Sequence, residues 1–339
     1  MNKKKSGWLV WVLALLTILV AVCILSFSTG PVSIPLNKII ETVSKGQGAA
    51  EYDILFGIRL PRIILGLAVG GALALSGVIL QGMFRNPLVE PYTLGISGGA
   101  ALGVCLNIIL KVNRIGGILS LPLSGFLGAI AVILIVYFLS IREKIFRIQG
   151  LLLTGVMISF IASSLIMLIM AISRTEELHG IIFWIMGSLD ESNWLLIKTM
   201  LFISFAGLSA SYLFCSQLNA LSLGEEEAAH LGINVERIKR LLFLLASILT
   251  GCSVSVAGII GFVGLAIPHF IRLFVGSDFR ILFISSFLAG SSFLILCDTL
   301  ARTIIAPLEL PVGVITGIIG GIIFIYFLNT RYQLLGKKK

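Results

Sequence analysis

Apolar residues in this chain come in long runs broken by short polar stretches, at about 8–28, 63–83, 93–110, 117–140, 150–172, 194–214, 241–257, 260–274, 281–299 and 311–329. A helix rises about 1.5 Å per residue, so roughly 20 residues cross the ~30 Å hydrocarbon layer of a bilayer. Such runs predict transmembrane helices, and the period-2 alternation of a membrane β-barrel is absent from them. The pair between 241 and 274 reads two ways: one long span, or a full span plus a short one hinged at "GIIGFVG" (258–264). Charge decides, because cytoplasmic loops are enriched in Lys and Arg. Ten spans with the N-terminus inside place sixteen of the 25 Lys and Arg on the cytoplasmic side. Merging the pair would carry Arg331 and the final lysine run outside. The expected fold class is therefore an all-α polytopic membrane protein of about ten transmembrane helices, with both termini cytoplasmic. The opening "MNKKKSGWLVWVLALLTILVAVCILS" is read as an uncleaved first span, since its apolar run is long for a signal peptide and no clear small-residue cleavage site follows.

One polar island stands out. "LSLGEEEAAHLG" (221–232) groups three glutamates, spaces Ser222 and Glu225 as a capping box, and puts Gly232 where a helix would stop. About nine residues of helix cannot hold together in water without packing against something. The passage lies in the largest inside segment, about 215–240; the largest outside ones are about 29–62 and 173–193. None is long enough for a soluble domain, so residues 1–339 form a single membrane domain.

Composition agrees: 58% of the 339 residues are hydrophobic and 12% are charged, where ordinary globular domains carry roughly 25% charged residues. Mean hydropathy is +1.08. The formal net charge of +9 is read as a record of topology, so no nucleic-acid partner is expected. Cys23, Cys105, Cys215, Cys252 and Cys297 stand singly and read as small buried hydrophobes, with no metal-ligand spacing. The glycine clusters "GLAVGGALALSG" (66–77) and "GISGGAALG" (95–103) lie inside apolar spans, which favours close helix packing over a phosphate loop. No Walker A sequence is present, so nucleotide chemistry must come from another polypeptide. No acid falls near the middle of a proposed span, which speaks against an ion-coupled carrier. Arg59 and Arg62 before the second span and Arg302 after the ninth put positive charge on the outer face. They read either as a surface for an acidic partner or as local pairs such as Asp298 with Arg302.

Several segments together resemble the permease subunits of binding-protein-dependent ABC importers for iron-siderophore, haem and cobalamin. They are "RLPRIILGLAVGGALALSGVILQGMFRNPLVEPYTLGISGGAALG" (59–103), "FWIMGSL" (183–189), "LNALSLGEEEAAHLGINVERIKR" (218–240), "VAGIIGFVGLAIPHFIRLFVGSDFR" (256–280) and "LARTIIAPLELPVGVITGIIGGIIFIYFL" (300–328). The resemblance implies a non-enzymatic transport subunit in a bacterial or archaeal inner membrane, working as a dimer, most simply a homodimer. It implies two separate ATPase subunits that carry ATP and Mg, an extracytoplasmic substrate-binding protein, and no cofactor in this chain. Gly224, Glu225, Glu226, Ala228, Ala229, Leu231 and Gly232 would couple to the ATPase. Arg59, Arg62 and Arg302 would dock the binding protein. Ile148, Gln149, Thr154 and Ser159 would line the pathway and its gate. The cargo implied first is a ferric siderophore, with haem, cobalamin or molybdate as alternatives.

Overall fold

In a computed structural model, residues 2–32, 34–45, 50–142, 145–146 and 148–336 are described. Each expected span corresponds to a helix: α1 (Asn2–Ser28), α4 (Leu60–Phe84), α5 (Ile96–Ile109), α7 (Ser120–Ser140), α8 (Ile148–Ile172), α10 (Trp194–Leu213), α13 (Val235–Ala257), α14 (Val263–Val275), α15 (Phe279–Thr303) and α16 (Val312–Gly336). Seven of these positions carry helices long and apolar enough to cross a membrane, and the apolar stretches of α5, α14 and α16 are shorter. Between them lie α2 (Leu36–Lys45), α3 (Ala50–Tyr52), α6 (Val112–Gly116), α9 (Thr175–Met186), α11 (Cys215–Leu221) and α12 (Glu225–His230). A π-helical stretch, Asp53–Arg59, joins α3 to α4. Strands β1 (Ile141–Arg142) and β2 (Ile145–Phe146) form one two-residue antiparallel ladder.

The helix α4 is the axis of the bundle, buried along nearly all its length and packed on α15, α10, α13 and α14. Apolar side chains gain little from leaving lipid, so helices there associate through close packing, and small residues permit it. A Cβ on Gly70 would strike the Gly290 carbonyl of α15, and one on Gly77 would strike the Gly264 carbonyl of α14. Few polar bonds reinforce the packing: the Ser76 hydroxyl lies 2.8 Å from Thr250 Oγ1 and 3.0 Å from the Ala246 carbonyl of α13.

The ambiguous 241–274 region is two helices. The chain breaks at 258–262, with Gly258 at φ +69° and Phe262 at φ +67°. At about 1.5 Å per residue, α5 and α14 are only some 20 Å long and cannot cross the hydrocarbon layer alone. Other chain extends each of them: 85–95 before α5, which holds a 3-10 turn at Pro91–Leu94, and non-helical 258–262 before α14. These segments meet deep in the bundle. A Cβ on Gly264 would lie 2.7 Å from Pro91 Cδ and 2.9 Å from the Leu73 carbonyl, halfway along α4. Irregular backbone survives at such depth only when protein satisfies it. Tyr92 does so on both counts: its hydroxyl donates to the Ile260 carbonyl at 2.9 Å and accepts the Ile260 amide at 3.0 Å.

Replacing Gly77 by Ala should cost about 1–3 kcal/mol, since backbone rather than a flexible side chain is in the way. Gly57→Ala, where a Cβ meets nothing within 4 Å, is the matched control. Thermal denaturation in detergent should show a lowered midpoint for the first and an unchanged one for the second.

Candidate functional site

The polar island forms a helix shorter and differently capped than expected. The helix α12 spans six residues, Glu225–His230, and its N-cap is Gly224 rather than Ser222. The capping box does not form: the Ser222 hydroxyl donates to the Asn219 carbonyl at 2.6 Å, and the Glu225 carboxylate pairs with Lys239 of α13. Lys239 is only 4% exposed, so this pair fastens α12 to a membrane helix. Gly232 acts as foreseen, at φ +80°, where its amide donates to Ala229 and the Ile233 amide to Ala228. A second tie holds the preceding α11: Asn219 Nδ2 donates to Asp278 at 3.2 Å, and Asn219 Oδ1 accepts the Phe279 amide at 3.2 Å. Asp278 itself caps α15. Ala228 is fully buried, whereas Leu223, Glu226, Ala229, His230, Leu231 and Gly232 are exposed. The result is a rigidly footed knob with two exposed leucines, 68% and 66% accessible, on either side of an acidic turn.

At the far end of α4, about 30 Å away by helix rise from Gly82 to Arg62, sits a charge cluster. Arg59, Arg62 and Arg302 are 2%, 8% and 2% exposed, so none of them projects as a docking charge. Arg59 donates to the Phe27 carbonyl at 2.6 Å and to the Val32 carbonyl. Arg302 donates to Ser26 Oγ at 2.9 Å and pairs with Asp298 at 3.0 Å, the i,i+4 pairing that was the local alternative. Arg62 pairs with Asp190, with Glu309 at 2.7 Å and, more loosely, with Asp298 at 3.9 Å. Buried charges near an apolar medium are tolerated when paired. The exposed members of this cluster are acids, Asp190 and Glu309.

The gate residues fall on α8. Thr154 and Ser159 are half-buried, and the Ser159 hydroxyl donates to the Gly155 carbonyl at 2.9 Å. The side chains of Ile148 and Gln149 lie outside the described residues, although α8 begins at Ile148. Gly155 packs directly on Thr93 and Leu94, so α8 leans on the segment before α5.

One group at depth was missed. No proposed span carries a central acid, but Glu90, between the spans at 63–83 and 93–110, is brought into the bundle because the 85–95 segment returns beside α4. Glu90 accepts the Phe262 amide at 3.4 Å across the meeting point of the two breaks. Its position looked like a loop because hydropathy reports run length, not the path of the chain between runs. The "NPLVEPY" prolines were the available signal of irregular backbone.

Fold and site together define a many-span α-helical membrane protein with broken helices meeting at mid-depth and an exposed coupling-type knob at one end. The FecCD transport family matches residues 18–330, and the chain belongs to it. The hemin transport system permease protein HmuU of Yersinia pestis is 39% identical over 327 residues, covering 95% of this chain and 96% of that protein. The Fe(3+) dicitrate transport system permease protein FecD of Escherichia coli is 35% identical, covering 92% and 96%. Among solved structures, a metal-chelate type ABC transporter in an inward-facing conformation superposes with a TM-score of 0.84 at 33% identity, over 94% of this chain and 98% of that one.

Asp298 holds two buried arginines, so Asp298→Asn should destabilise the protein by about 3–5 kcal/mol, the range for stripping a partner from a buried charge. Lys38→Ala, at the exposed Lys38–Glu51 pair, should leave the denaturation midpoint in detergent unchanged.

Proposed function

We propose that this chain is the permease subunit of a binding-protein-dependent ABC importer, taking up a chelated nutrient with ATP hydrolysed on a separate subunit. The observation that carries the reading is the α12 knob. A six-residue helix cannot stand alone, yet α12 is footed on α13 and the preceding α11 on α15, and Leu223, Ala229 and Leu231 face outward, as a partner's socket requires. Closure of an ATPase around the knob would be transmitted through the Glu225–Lys239 and Asn219–Asp278 ties to the spans.

The pathway is assigned to α8, with Thr154 and Ser159 on it and Ile148 and Gln149 at its start. Its exposed Leu153, Phe160, Leu165 and Leu168 suit a second copy of the permease as well as lipid. The docking role of Arg59, Arg62 and Arg302 takes an indirect form: they brace the loops that carry Asp190 and Glu309, and a binding protein would meet those loops. A ferric siderophore is the favoured cargo. Haem is the second reading, favoured by the identity to HmuU.

Replacing both Leu223 and Leu231 by Asp should leave the permease folded but unable to retain its ATPase subunit on affinity purification, and uptake should be lost. Retention of the ATPase by this variant, with normal uptake, would remove the coupling assignment.

The ten-span topology has its own check. Ile118, 73% exposed beyond α6, should react as Cys with a membrane-impermeant maleimide from outside, and Ser277→Cys only after the membrane is opened. The native Cys215 reacts slowly, because it is only 4% exposed and burial, with Asp278 beside it, pushes its thiol up to about 11. External labelling at 277 would refute the ten-span count.

A further inference from the structure

At the end of the bundle opposite α12, a cavity of about 450 Å³ opens between the end of α5, α6 and α9. Lys111, Arg114 and Arg174 line it, with Phe183 and Trp184 among its walls. None of the three cations has an ion-pair partner among the described residues. Two carboxylates also line it, but Glu177 is engaged as the cap of α9, accepting the Arg174 amide at 3.2 Å. That bond leaves the Glu177 charge in place, so three cations and two carboxylates give the hollow a net positive charge of one. The local fold holds them there: Lys111 is at φ +55° as the N-cap of α6, and Arg174 precedes the first turn of α9.

The neighbouring cavity differs in sign. It shares Leu121, Phe183, Trp184 and Ser188 but carries Asp190 and Glu191 instead of cations. An aromatic ridge thus divides a basic hollow from an acidic one. Phe183, 60% exposed, is an apolar face on the dividing wall. The helix α9 follows α8 after only two residues, so the basic hollow lies at the outer mouth of the proposed gate helix.

We infer that this basic hollow is a cargo-receiving subsite for an anionic chelate that carries acidic oxygens on an aromatic body. Guanidinium and ammonium groups take the oxygens, and Phe183 and Trp184 take the ring. The cavity has the volume of a small-molecule site. The inference rests on the importer reading and narrows its cargo to negatively charged, ring-bearing chelates, received on the α9 side of the mouth. The net positive charge of the hollow also raises the local concentration of such a ligand.

The test uses full-length permease in nanodiscs of phosphatidylcholine and iron-55-labelled ferric catecholate as the probe. Saturable binding is expected, weakened at least tenfold by Arg114→Gln with Arg174→Gln and weakened also by Phe183→Ala. It should fall as salt rises, since exposed charges are screened over about 8 Å at physiological ionic strength. A ferric trihydroxamate without net negative charge should not bind. Both variants should still retain the ATPase subunit, which shows that they are folded. Equal binding by wild type and the double variant would overturn the inference. So would inorganic phosphate competing as tightly as the chelate. Phosphatidylglycerol co-purifying in an arginine-dependent way and blocking the probe would make the hollow a lipid headgroup site instead. Any of these failures leaves the importer reading standing, because that reading is tested at Leu223 and Leu231 across the membrane.

Discussion

Everything in this bundle depends on how closely other helices approach α4. Hydrocarbon is as good a solvent for Leu as protein is, so burial of apolar side chains cannot by itself assemble membrane helices. What remains is short-range contact, which falls off within an ångström or so of optimal separation. Gly66, Gly70, Gly71, Gly77 and Gly82 remove the side chains that would hold α15, α14 and the α11 region away. Because that packing involves backbone, α4 is a stiff rod with little room to adjust. A stiff central rod makes the two ends of the molecule mechanically related.

The same close approach makes the irregular segments possible. Chain 85–95 and chain 258–262 expose backbone polar groups at a depth where water is absent, and each supplies partners to the other through Tyr92 and Glu90. Remove 85–95 and the Ile260 and Phe262 amides are left unsatisfied. The crossing is also where α8 touches the core, through Gly155 against Thr93 and Leu94. A rearrangement of α8 must therefore move against a hydrogen-bonded crossing rather than against fluid side chains.

At both ends a buried cation is paired with a more exposed acid, but the surfaces that result differ. Near Arg62 the arginines and Asp298 are inside while Asp190 and Glu309 face out, so the rim presents those two acids while its arginines hold loops together. Around α12 the buried member is again a cation, Lys239, but the exposed surface mixes acid with bare leucine. A surface of that kind suits a socket with an apolar floor, whereas the Arg62 rim suits contacts that fix orientation more than affinity. The hollow between α5 and α9 departs from both, since its cations are left facing space.

The order and approximate limits of the long apolar helices were legible along the chain, because run length is read residue by residue, whereas short helices such as α2 and α9 were not. The glycine clusters declared close packing for the same local reason, and Gly232 declared a helix stop because only the backbone at that position matters. The Ser222–Glu225 spacing misled. Glu225 found a better partner in Lys239, fourteen residues on, and local spacing cannot weigh a long-range charge. The arginines at 59, 62 and 302 were visible as a group, but whether they face a partner or one another depends on loops at 187–193 and 304–311 that come together only in the folded bundle. Glu90 was hidden for the same cause: hydropathy gives the length of each run, and only packing against Leu73 and Gly264 decides how deep the chain between two runs returns.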